Sequence, residues 1–413
     1  MDRPVFDYAA VGVGPANLSL AALADPVPGL RGIHLERRAG FSWHPGMLLP
    51  EATLQVSHLK DLVTLVDPTS RFSFLAFLSA HNRLYDFLAA DFPAVLRTEF
   101  DQYLQWVAGR LPSLVFGTEV READFRDGLF RLRTDDREVR SRHLVLGTGL
   151  TPRVPGLFRP HLGPAVLHSA DFLLLAPEVA GRRVVVVGGG QSGAEIVRHL
   201  ASGPGTTGGP ASLTWVSRRP SFLPLDDSPF ANDLYSPAYV RHFHGLPAER
   251  RARLLDRQKY TSDGIDLAVL QDLHRLRYRS EHLGADPGRL RFLPDCTVTG
   301  VDGVAGELKL SVDCEGPDAP AVLAADVVVL CTGYRYELPA FMTALGPRLG
   351  RTDGLLDVGE DFSLVWDGPP GNRIYLQNGA RHAWGVADPN LSLLAWRSAV
   401  VLNSLLGETR YHV

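Results

Sequence analysis

The chain has 413 residues, of which 45% are hydrophobic and 21% charged, and 42 basic and 46 acidic side chains give it a formal net charge of −4. This length exceeds what a single hydrophobic core usually organises, so we expect two or three folding units. A charge so near balance gives no electrostatic reason to expect a nucleic acid or a membrane surface as partner. No apolar run approaches the roughly 18 residues of a membrane span, and the N-terminus lacks the apolar segment of a signal peptide, so we expect a cytoplasmic protein.

Two strand–turn–helix segments stand out along the chain. The apolar run from Phe6 to Val11 ends in a glycine turn and continues into a helix-like segment from Leu18 to Leu23. The run from Arg183 to Val187 contains four consecutive valines, which suits a parallel strand covered on both faces, and it also leads through a glycine turn into a helix. Strands that alternate with helices along the chain predict an α/β fold with parallel sheets.

The stretch from about residue 222 to 290 has a different pattern. It consists of polar helical segments, clearest from Glu249 to Leu273, and predicts a small helical insert. Glycine and proline predict a surface loop at Pro204 to Pro210 and a turn at Gly316 to Pro320.

The chain contains three cysteines, Cys296, Cys314 and Cys331. Their spacing matches neither a CxxC motif nor a metal-ligand cluster. Because reduced thiols are the default in a cytoplasm, we expect three free thiols and no metal site.

The two glycine turns have the composition of phosphate-binding loops. In such loops the first glycine permits a tight turn and the second lets the backbone approach a pyrophosphate, while the helix N-terminus supplies N–H donors. The second turn matches GxGxxG in full at Gly188, Gly190 and Gly193, whereas the first has Asn17 in place of the third glycine. One match is weak evidence, but two matches between a strand and a helix predict two dinucleotide-binding units.

The residues that follow each turn distinguish the two nucleotides. Glu36 lies about 22 residues beyond Gly14, where a carboxylate accepts a ribose hydroxyl, as in an FAD site. The matching strand of the second unit is followed by Arg218 and Arg219 and by no acid, which suits the 2′-phosphate of NADPH better than NADH. The alternative is a solvated arginine pair.

These patterns predict two Rossmann-like domains, an FAD-binding domain formed by residues 1–165 and 321–413 and an NADPH-binding domain formed by residues 166–320. The helical insert at about 222–290 would then be associated with the substrate. Two strands that end in Thr-Gly pairs, at Gly149 and Gly333, fit chain crossovers near the flavin. We expect FAD contacts at Gly12, Gly14, Pro15, Asn17 and Glu36. We expect NADPH contacts at Gly188, Gly190, Gln191, Ser192, Gly193, Ser217, Arg218 and Arg219.

A flavin combined with NADPH is compatible with several reactions. A disulfide reductase needs a redox-active cysteine pair near the flavin, and we reject it because Cys296 and Cys314 lie 18 positions apart and Cys331 lies within a strand. A monooxygenase needs no nucleophile from the protein, because reduced flavin and O2 make the oxidant. An NADPH oxidase or flavin reductase is an alternative of another class, and an inactive flavin-binding scaffold is a third.

Segments in the same order over nearly the whole chain carry a family likeness. They are Phe41 to Met47, Leu54 to Val63, Asp67 to Leu75, Arg97 to Trp106, Gly188 to Gly193, Asp226 to Asn232, Lys259 to Ile265, Cys331 to Arg335 and Asp388 to Arg397. In this combination the chain resembles the flavin-dependent N-hydroxylating monooxygenases of siderophore biosynthesis. That family comprises lysine N6-, ornithine N5- and diamine N-hydroxylases.

The resemblance implies a mechanism. NADPH reduces FAD, O2 adds to give a C4a-hydroperoxyflavin shielded by bound NADP⁺, and the substrate amine attacks the distal oxygen. The amine has to be neutral to attack, whereas a lysine side chain in water has a pKa of about 10.4. The site therefore has to desolvate the ammonium or remove its proton while it anchors the other end of the substrate by charge.

The resemblance also implies roles for residues near the flavin. Gln55 would be a catalytic residue that sits beside the flavin, supports the hydroperoxide and contacts the substrate. Trp43 and His44 would pack near the isoalloxazine ring. Ser392 would lie close to both flavin and substrate. The plainer alternatives are a core tryptophan, a histidine bonded to a backbone carbonyl, and two polar residues that satisfy nearby backbone groups.

Two further residues are implied to bind the amine substrate. Lys60, one of only three lysines in the chain, would meet the substrate α-carboxylate. Asn232 would bind the α-amino end of the substrate and border NADPH. The plainer alternatives are a surface lysine and an asparagine that serves a local turn.

The choice among substrates depends on finer likenesses. The segment from Lys259 to Asp263 resembles lysine and diamine enzymes, whereas Leu391 to Arg397 resembles the amino-acid hydroxylases. We therefore expect N-hydroxylation of L-lysine, with L-ornithine, putrescine or cadaverine as alternatives, by a homo-oligomer (dimer or tetramer). Trp384 to Val386 replaces the His-Gly-Leu run of many family members, so we expect the shape of the pocket to differ there.

Overall fold

The structure is a computed structural model that describes residues 4–202, 208–284, 288–304, 306–315 and 320–413. Most of the predicted loop at 204–210 and of the predicted turn at 316–320 lies outside the described residues. The strands, numbered in chain order, are β1 (Val5–Val11), β2 (Gly32–Leu35), β3 (Leu114–Val115), β4 (Glu122–Arg126), β5 (Leu129–Arg133), β6 (Glu138–Leu146), β7 (Thr151–Pro152), β8 (Val166–His168), β9 (Arg183–Val187), β10 (Ser212–Val216), β11 (Leu290–Leu293), β12 (Cys296–Val304), β13 (Glu307–Cys314), β14 (Val322–Ala325), β15 (Val327–Leu330), β16 (Tyr334–Arg335), β17 (Arg351–Thr352), β18 (Leu355–Leu356) and β19 (Ile374–Leu376). The helices are α1 (Pro15–Ala24), α2 (Phe74–Ala80), α3 (Leu84–Ala90), α4 (Arg97–Ala108), α5 (Phe172–Leu175), α6 (Gln191–Ser202), α7 (Pro229–Asn232), α8 (Pro237–His244), α9 (Ala248–Arg257), α10 (Tyr260–Asp263), α11 (Leu267–His282), α12 (Arg381–Trp384) and α13 (Leu394–Leu406).

The first sheet has the strand order β3-β2-β1-β6-β5-β4, and β19 also pairs with β6. Strand β1 is parallel to β2 and β6, whereas β5 is antiparallel to β6. Helix α1 is buried at every position after Pro15, because it lies between this sheet and α13. The glycine turn before α1 therefore lies at the carboxyl end of a central parallel strand, where α/β proteins bind nucleotides.

The second sheet is parallel throughout and has the order β11-β10-β9-β15-β8. The valines of β9 form its middle strand and are largely buried, as the sequence predicts. A third, antiparallel sheet consists of β12, β13 and β14. The predicted α/β class with two Rossmann-like sheets is confirmed.

The third sheet contains a disulfide bond, so the expectation of three free thiols is wrong. Cys296 and Cys314 face each other at the paired ends of β12 and β13 and are bonded, and among the described residues only Cys331 is a free cysteine. A separation of 18 residues looks remote in the sequence, but a hairpin of two long strands brings such positions together. The backbone N–H of Cys296 donates to the carbonyl of Ser217 at 2.9 Å, which places the pair beside the second nucleotide unit and not among the predicted flavin contacts.

Helices α7 to α11 occupy the predicted insert, and the segment from Glu249 to Leu273 is divided among α9, α10 and α11. The chain crosses between the two large sheets at β7 and β16, which pair antiparallel. The division into domains is our proposal. Because β15 lies in the middle of the second sheet, we propose that the second unit extends from about residue 153 to 333, beyond the expected 166–320.

Candidate functional site

The first glycine turn joins β1 to α1 and presents backbone to open space. Gly12 has a φ of 89°, and a Cβ on it would lie 2.5 Å from the carbonyl oxygen of Gly147, so the turn requires glycine here. Gly14 is the N-cap of α1 and Pro15 is its first residue. Among the described residues no atom lies within 4 Å of a Cβ built on Gly14, so a phosphate has room to approach the N–H groups of the helix terminus.

Asn17, which replaces the third glycine, stabilises the turn from within. It is fully buried, and its Nδ2 donates to the carbonyls of Gly12 at 2.7 Å and Val11 at 3.3 Å. Its Oδ1 accepts a hydrogen bond from Gln377 Nε2 at 2.8 Å. Both amide hydrogens are therefore committed to protein carbonyls, and a nucleotide contact by Asn17 would involve its backbone.

Glu36 directly follows β2 at the same edge of the sheet. Its carboxylate accepts the backbone N–H of Val13 at 2.8 Å, the backbone N–H of Arg38 at 3.0 Å and the Arg38 Nε–H at 3.2 Å. Glu36 is buried, yet a carboxylate has about four acceptor positions and these bonds use three. The carboxylate thus holds the glycine turn in place and retains capacity for a ribose hydroxyl.

Gln55 has an amide that lacks a partner. Its Nε2 is buried and makes no hydrogen bond to any described residue. A buried donor left without an acceptor costs about 1–3 kcal/mol, so a bound group that supplies acceptor atoms would remove this cost. The polar edge of a flavin ring supplies such atoms, which fits the predicted place of Gln55.

Trp43 and His44 lie together in the loop before Gln55. The backbone N–H of Trp43 donates to Asp101 Oδ1 at 3.1 Å, and its ring lies 5.3 Å from the His44 ring and 5.7 Å from Phe100. The His44 ring has no hydrogen bond to another described residue, so the predicted alternative of a bond to a backbone carbonyl is not seen. Burial of the ring, with a smaller contribution from the positive charges of Arg97 and another arginine, lowers the pKa of His44 to about 4. The imidazole is therefore neutral at pH 7.

Lys60 and Ser392 are brought together although 332 positions separate them. Lys60 Nζ donates to Ser392 Oγ at 3.1 Å and lies 5.9 Å from the centre of the Tyr235 ring. Partial burial lowers the pKa of Lys60. This contact joins two of the predicted catalytic and binding residues, and it places a lysine cation in a recessed position instead of on an open surface.

The segment that carries Ser392 is fixed by a buried ion pair. Arg397 Nη1 donates to the carbonyl of Asp388 at 2.5 Å and to its Oδ1 at 3.2 Å, and both residues are almost fully buried. The other carboxylate oxygen of Asp388 accepts the Ala380 N–H at 2.8 Å, and Asn390 Oδ1 accepts the Ser392 N–H at 2.8 Å. The Asp-Pro-Asn-Leu-Ser run therefore positions the serine.

Asn232 has the plainer arrangement that the sequence leaves open. Its side chain is exposed, and Nδ2 donates to the carbonyls of Asp227 at 2.9 Å and Ser228 at 3.3 Å. These bonds close a local turn. The predicted contact with substrate stays a prediction, and it requires the amide to leave this turn.

The second glycine turn joins β9 to α6 in close packing. Trp215 Nε1 donates to the Gly188 carbonyl at 2.8 Å, and a Cβ on Gly193 would lie 2.9 Å from the same nitrogen. Around Gly190 no described atom lies within 4 Å of a built Cβ. The first and third glycines thus permit close packing, and the middle glycine leaves the backbone accessible.

Helix α6 begins with Gln191 and Ser192. Both the amide nitrogen and the amide oxygen of Gln191 make hydrogen bonds to the protein. Its Nε2 donates to Glu195 Oε1 at 2.8 Å and its Oε1 accepts the Asp266 N–H at 2.8 Å. Ser192 is partly buried. Gln191 therefore connects the second glycine turn to the start of α11.

A buried ion pair that sequence reasoning missed links the two units. Arg97 on α4 donates from Nη1 and Nη2 to the two oxygens of Glu195 on α6, at 2.9 and 2.8 Å. Glu195 is 2% exposed. The sequence did contain an indication of this ion pair. Glu195 is a lone acid among the apolar residues of the helix after GxGxxG, and a buried carboxylate in that position needs a partner.

The two arginines after β10 differ in their contacts within the described residues: Arg219 is bonded to the protein backbone, whereas Arg218 is free to bind a ligand. Arg219 Nη1 donates to the carbonyls of Gly189 at 2.9 Å and Asp263 at 2.8 Å, and Ser217 Oγ accepts the Arg219 N–H at 3.1 Å. Arg218 is exposed and makes no hydrogen bond or ion pair with the described part of the chain. Of the two, Arg218 is the cation available to a 2′-phosphate.

Among the described residues, no group of three or more histidine, cysteine, aspartate or glutamate side chains could hold a metal ion. Within the same part of the chain, no helix has the length and apolar character needed to cross a membrane.

The residues present fit FAD at the first turn and NADPH at the second. The open backbone at Gly14 and Gly190, the spare acceptor capacity of Glu36 and the unpartnered amide of Gln55 are all features that a bound dinucleotide would use.

Comparison with known proteins agrees with this geometry. The family model described as L-lysine 6-monooxygenase/L-ornithine 5-monooxygenase matches residues 4–336. The chain is 38% identical over 404 residues to the L-lysine N6-monooxygenase of Escherichia coli, covering 97% of this chain and 94% of that protein. It superimposes on the FAD-bound cadaverine monooxygenase of desferrioxamine biosynthesis from Erwinia amylovora with a TM-score of 0.92 and 32% identity, covering 100% of this chain and 96% of the other. The ornithine N-hydroxylase of Kutzneria sp. 744, solved with reduced FAD, NADP⁺ and L-ornithine, gives a TM-score of 0.89 and 33% identity, with 98% and 99% covered. The chain therefore belongs to the L-lysine 6-monooxygenase/L-ornithine 5-monooxygenase family.

Proposed function

We propose that this chain is an FAD- and NADPH-dependent monooxygenase that N-hydroxylates the terminal amine of L-lysine for a siderophore-type biosynthesis. The observation that carries the proposal is the Lys60–Ser392 contact of 3.1 Å, since it holds a cation in a recess formed by segments that resemble the family's substrate site. A recessed ammonium group binds a carboxylate more strongly than an exposed one, because less water competes for it.

The cofactors would be held by the residues described above. Gly12, Gly14 and Glu36 would bind the FAD phosphates and ribose, and Gln55 would donate to the flavin edge. Gly188 to Gly193 and Arg218 would bind NADPH. When bound, FAD reduced by NADPH supplies the oxidant from O2.

Lys60 can anchor an amino acid without losing its existing bond. An ammonium has three N–H donors, and Ser392 uses one of them, which leaves two for the α-carboxylate of the substrate. An anchor at the α-carboxylate directs the far end of the substrate away from Lys60. Partial burial lowers the pKa of Lys60, and the same loss of solvent around a bound substrate lowers the pKa of its terminal ammonium and favours the neutral amine.

The same residues distinguish among the alternatives. L-Ornithine has the same α-carboxylate and a side chain shorter by one methylene, so Lys60 does not separate it from lysine. Putrescine and cadaverine have no carboxylate, and an ammonium of either diamine would meet the like charge of Lys60. The Lys60–Ser392 pair therefore favours an amino acid, although diamine hydroxylases are among the similar proteins, such as the putrescine N-hydroxylase of Shewanella oneidensis at 34% identity.

We also propose a cytoplasmic homo-oligomer, a dimer or a tetramer. The cytoplasm would supply NADPH. Exposed aromatic and aliphatic side chains on and after α3, namely Tyr85, Leu88 and Phe92, support a contact with another copy, since contiguous exposed apolar groups often mark interfaces.

A substrate panel tests the proposed reaction. Purified protein loaded with FAD is given NADPH, O2 and either L-lysine, L-ornithine, putrescine or cadaverine, and the hydroxylamine product is measured. We expect most product from L-lysine. If NADPH is consumed at the same rate with every amine and no hydroxylamine forms, the chain is an NADPH oxidase or flavin reductase and the proposal is wrong.

Lys60→Ala tests the anchor, and Lys309→Ala is the matched control because Lys309 is exposed on β13. Loss of one partner of a buried charge pair typically costs about 2–5 kcal/mol, so Lys60→Ala should raise the KM for L-lysine at least 30-fold. The KM for diamine substrates should fall or stay unchanged in Lys60→Ala, because a like charge near their ammonium is removed, and Lys309→Ala should leave it unchanged. An equal loss for amino acids and diamines would exclude the anchor role.

A further inference from the structure

Tyr235 connects Lys60 to the helical insert. The residue lies just after α7 and is 9% exposed. Its hydroxyl donates to the Thr261 carbonyl at 2.5 Å and also contacts Thr261 Oγ1 at 3.3 Å, on α10. Its ring centre lies 5.9 Å from Lys60 Nζ. One side chain thus contacts the cation from the first unit and the backbone of the insert.

The contacts of Tyr235 fix its ring. Burial raises the pKa of Tyr235, so its hydroxyl is protonated in the neutral range and can donate to Thr261. Because its hydroxyl is bonded to Thr261, the whole side chain cannot swing away from the ammonium without breaking that bond. The electron-rich ring face attracts a cation at about 6 Å or less from its centre, and the attraction increases where water is excluded.

The same insert segment is held from two further sides. The carbonyl of Asp263 accepts from Arg219 Nη1 at 2.8 Å, and Ser262 Oγ accepts from Arg381 Nη2 at 3.0 Å. Helix α10 is therefore fixed to the second glycine turn and to α12, and it provides Tyr235 with a stable point of attachment.

Lys60 consequently has two supports, the Ser392 hydroxyl and the Tyr235 ring. A lysine side chain has four rotatable bonds, and an unsupported ammonium would sample many positions. We propose that Tyr235 is a positioning residue that holds the Lys60 ammonium where it meets the carboxylate of an amino-acid substrate, and that it thereby sets the preference for amino acids over diamines. This inference rests on the proposed function, in so far as it assigns a carboxylate to Lys60.

Tyr235 has two features that support Lys60, its ring face and its bond to Thr261, and different substitutions remove each of them. Tyr235→Leu removes the ring face, and Tyr235→Phe retains the face but removes the bond to Thr261. Tyr239→Leu is the matched control, because Tyr239 is a partly buried tyrosine of the same insert whose hydroxyl bonds Gln258. Far-ultraviolet circular dichroism and the melting temperature establish that each variant is folded.

Steady-state kinetics with L-lysine and cadaverine, and calorimetric titration of L-lysine into the enzyme loaded with FAD and NADP⁺, test the proposal. For Tyr235→Leu we expect the KM and Kd for L-lysine to rise about three- to thirtyfold, with kcat within about twofold of wild type and the KM for cadaverine unchanged. Tyr235→Phe should give a smaller rise of the same kind, and Tyr239→Leu should give none.

Several results would overturn the inference. They are an equal rise for L-lysine and cadaverine, a fall in kcat with KM unchanged, or a Tyr235→Phe variant with wild-type KM where Tyr235→Leu does not fold. Failure of the proposed function looks different: the wild-type chain would then hydroxylate no amine, or diamines alone. Preference for L-ornithine over L-lysine would change the substrate and leave the inference in force, because both carry the carboxylate.

Discussion

The ion pair between Arg97 and Glu195 predicts a large and specific effect on stability. Glu195 accepts three hydrogen bonds, from both terminal nitrogens of Arg97 and from Gln191, at 2.8–2.9 Å. Glu195→Leu removes all three hydrogen bonds and leaves the Arg97 guanidinium, whose side chain is 16% exposed, without its counter-charge. Breaking a buried pair in this way costs about 3–5 kcal/mol.

The cost should appear at the lower end of this range, because water can reach part of Arg97. About 3 kcal/mol corresponds to a fall in melting temperature of roughly 6–12 °C for a unit of 150–250 residues. Differential scanning calorimetry, with and without NADP⁺, measures this shift. Asp135→Ala, which breaks an exposed ion pair with Arg121, is the control and should leave the melting temperature unchanged.

The double variant Arg97→Met with Glu195→Leu decides the cause of the loss. Replacing both charges by apolar groups removes the buried unpaired cation, so the double variant should be more stable than Glu195→Leu alone. If the double variant is less stable than the wild-type chain by the sum of the losses of the two single variants, the two residues act independently. The argument from an unpaired charge would then be refuted.

Three further changes have defined outcomes. Arg218→Ala should raise the KM for NADPH at least tenfold and leave the KM for NADH unchanged, since it removes the available cation near a 2′-phosphate; equal effects on both coenzymes would contradict this. Cys314→Ser should lower the free energy of unfolding by about 3 kcal/mol in a denaturant titration, because it opens a loop closed by the bond to Cys296, and dithiothreitol should reproduce the loss in the wild-type chain. Asp388→Asn should lower kcat and stability together, since it weakens the buried pair with Arg397 that fixes the serine segment; unchanged kcat in a folded variant would argue against that positioning.

Local sequence patterns were sufficient for the parts of the fold that local patterns determine. A valine run followed by glycines and a helix predicts β9, its turn and α6, because the strand, the tight turn and the helix start are adjacent in the chain. The position of Glu36 follows from its spacing of about 22 residues from Gly14, because one helix and one strand span that interval. The prediction that Lys60 and Ser392 both lie near the substrate came from the family resemblance. No periodicity in the sequence relates positions 332 residues apart.

The remaining features depend on tertiary pairing. The disulfide follows from the register of β12 against β13, and β15 joins the second sheet through hydrogen bonds to β8 and β9. Neither the disulfide nor the position of β15 can be recognised from a short segment of the sequence. Glu195 was recognisable as a buried acid, but its partner on α4 was not, and the rotamer that commits Asn232 to a local turn is a choice among several that its sequence allows.

The pairing of β7 with β16 has a consequence for engineering. The chain leaves the first unit at Thr151 and returns at Arg335, and the two passages lie side by side, tied by the Thr151 hydroxyl to the Arg335 carbonyl at 3.1 Å and by the Arg153 N–H to the Gly333 carbonyl at 2.9 Å. A segment whose two ends meet at one place is joined covalently to the rest of the chain as an insertion. The intervening residues form a cassette, so coenzyme preference could be exchanged by grafting the equivalent cassette of a relative at these two strands, with Glu195 and Tyr235 retained because they contact Arg97 and Lys60 of the first unit.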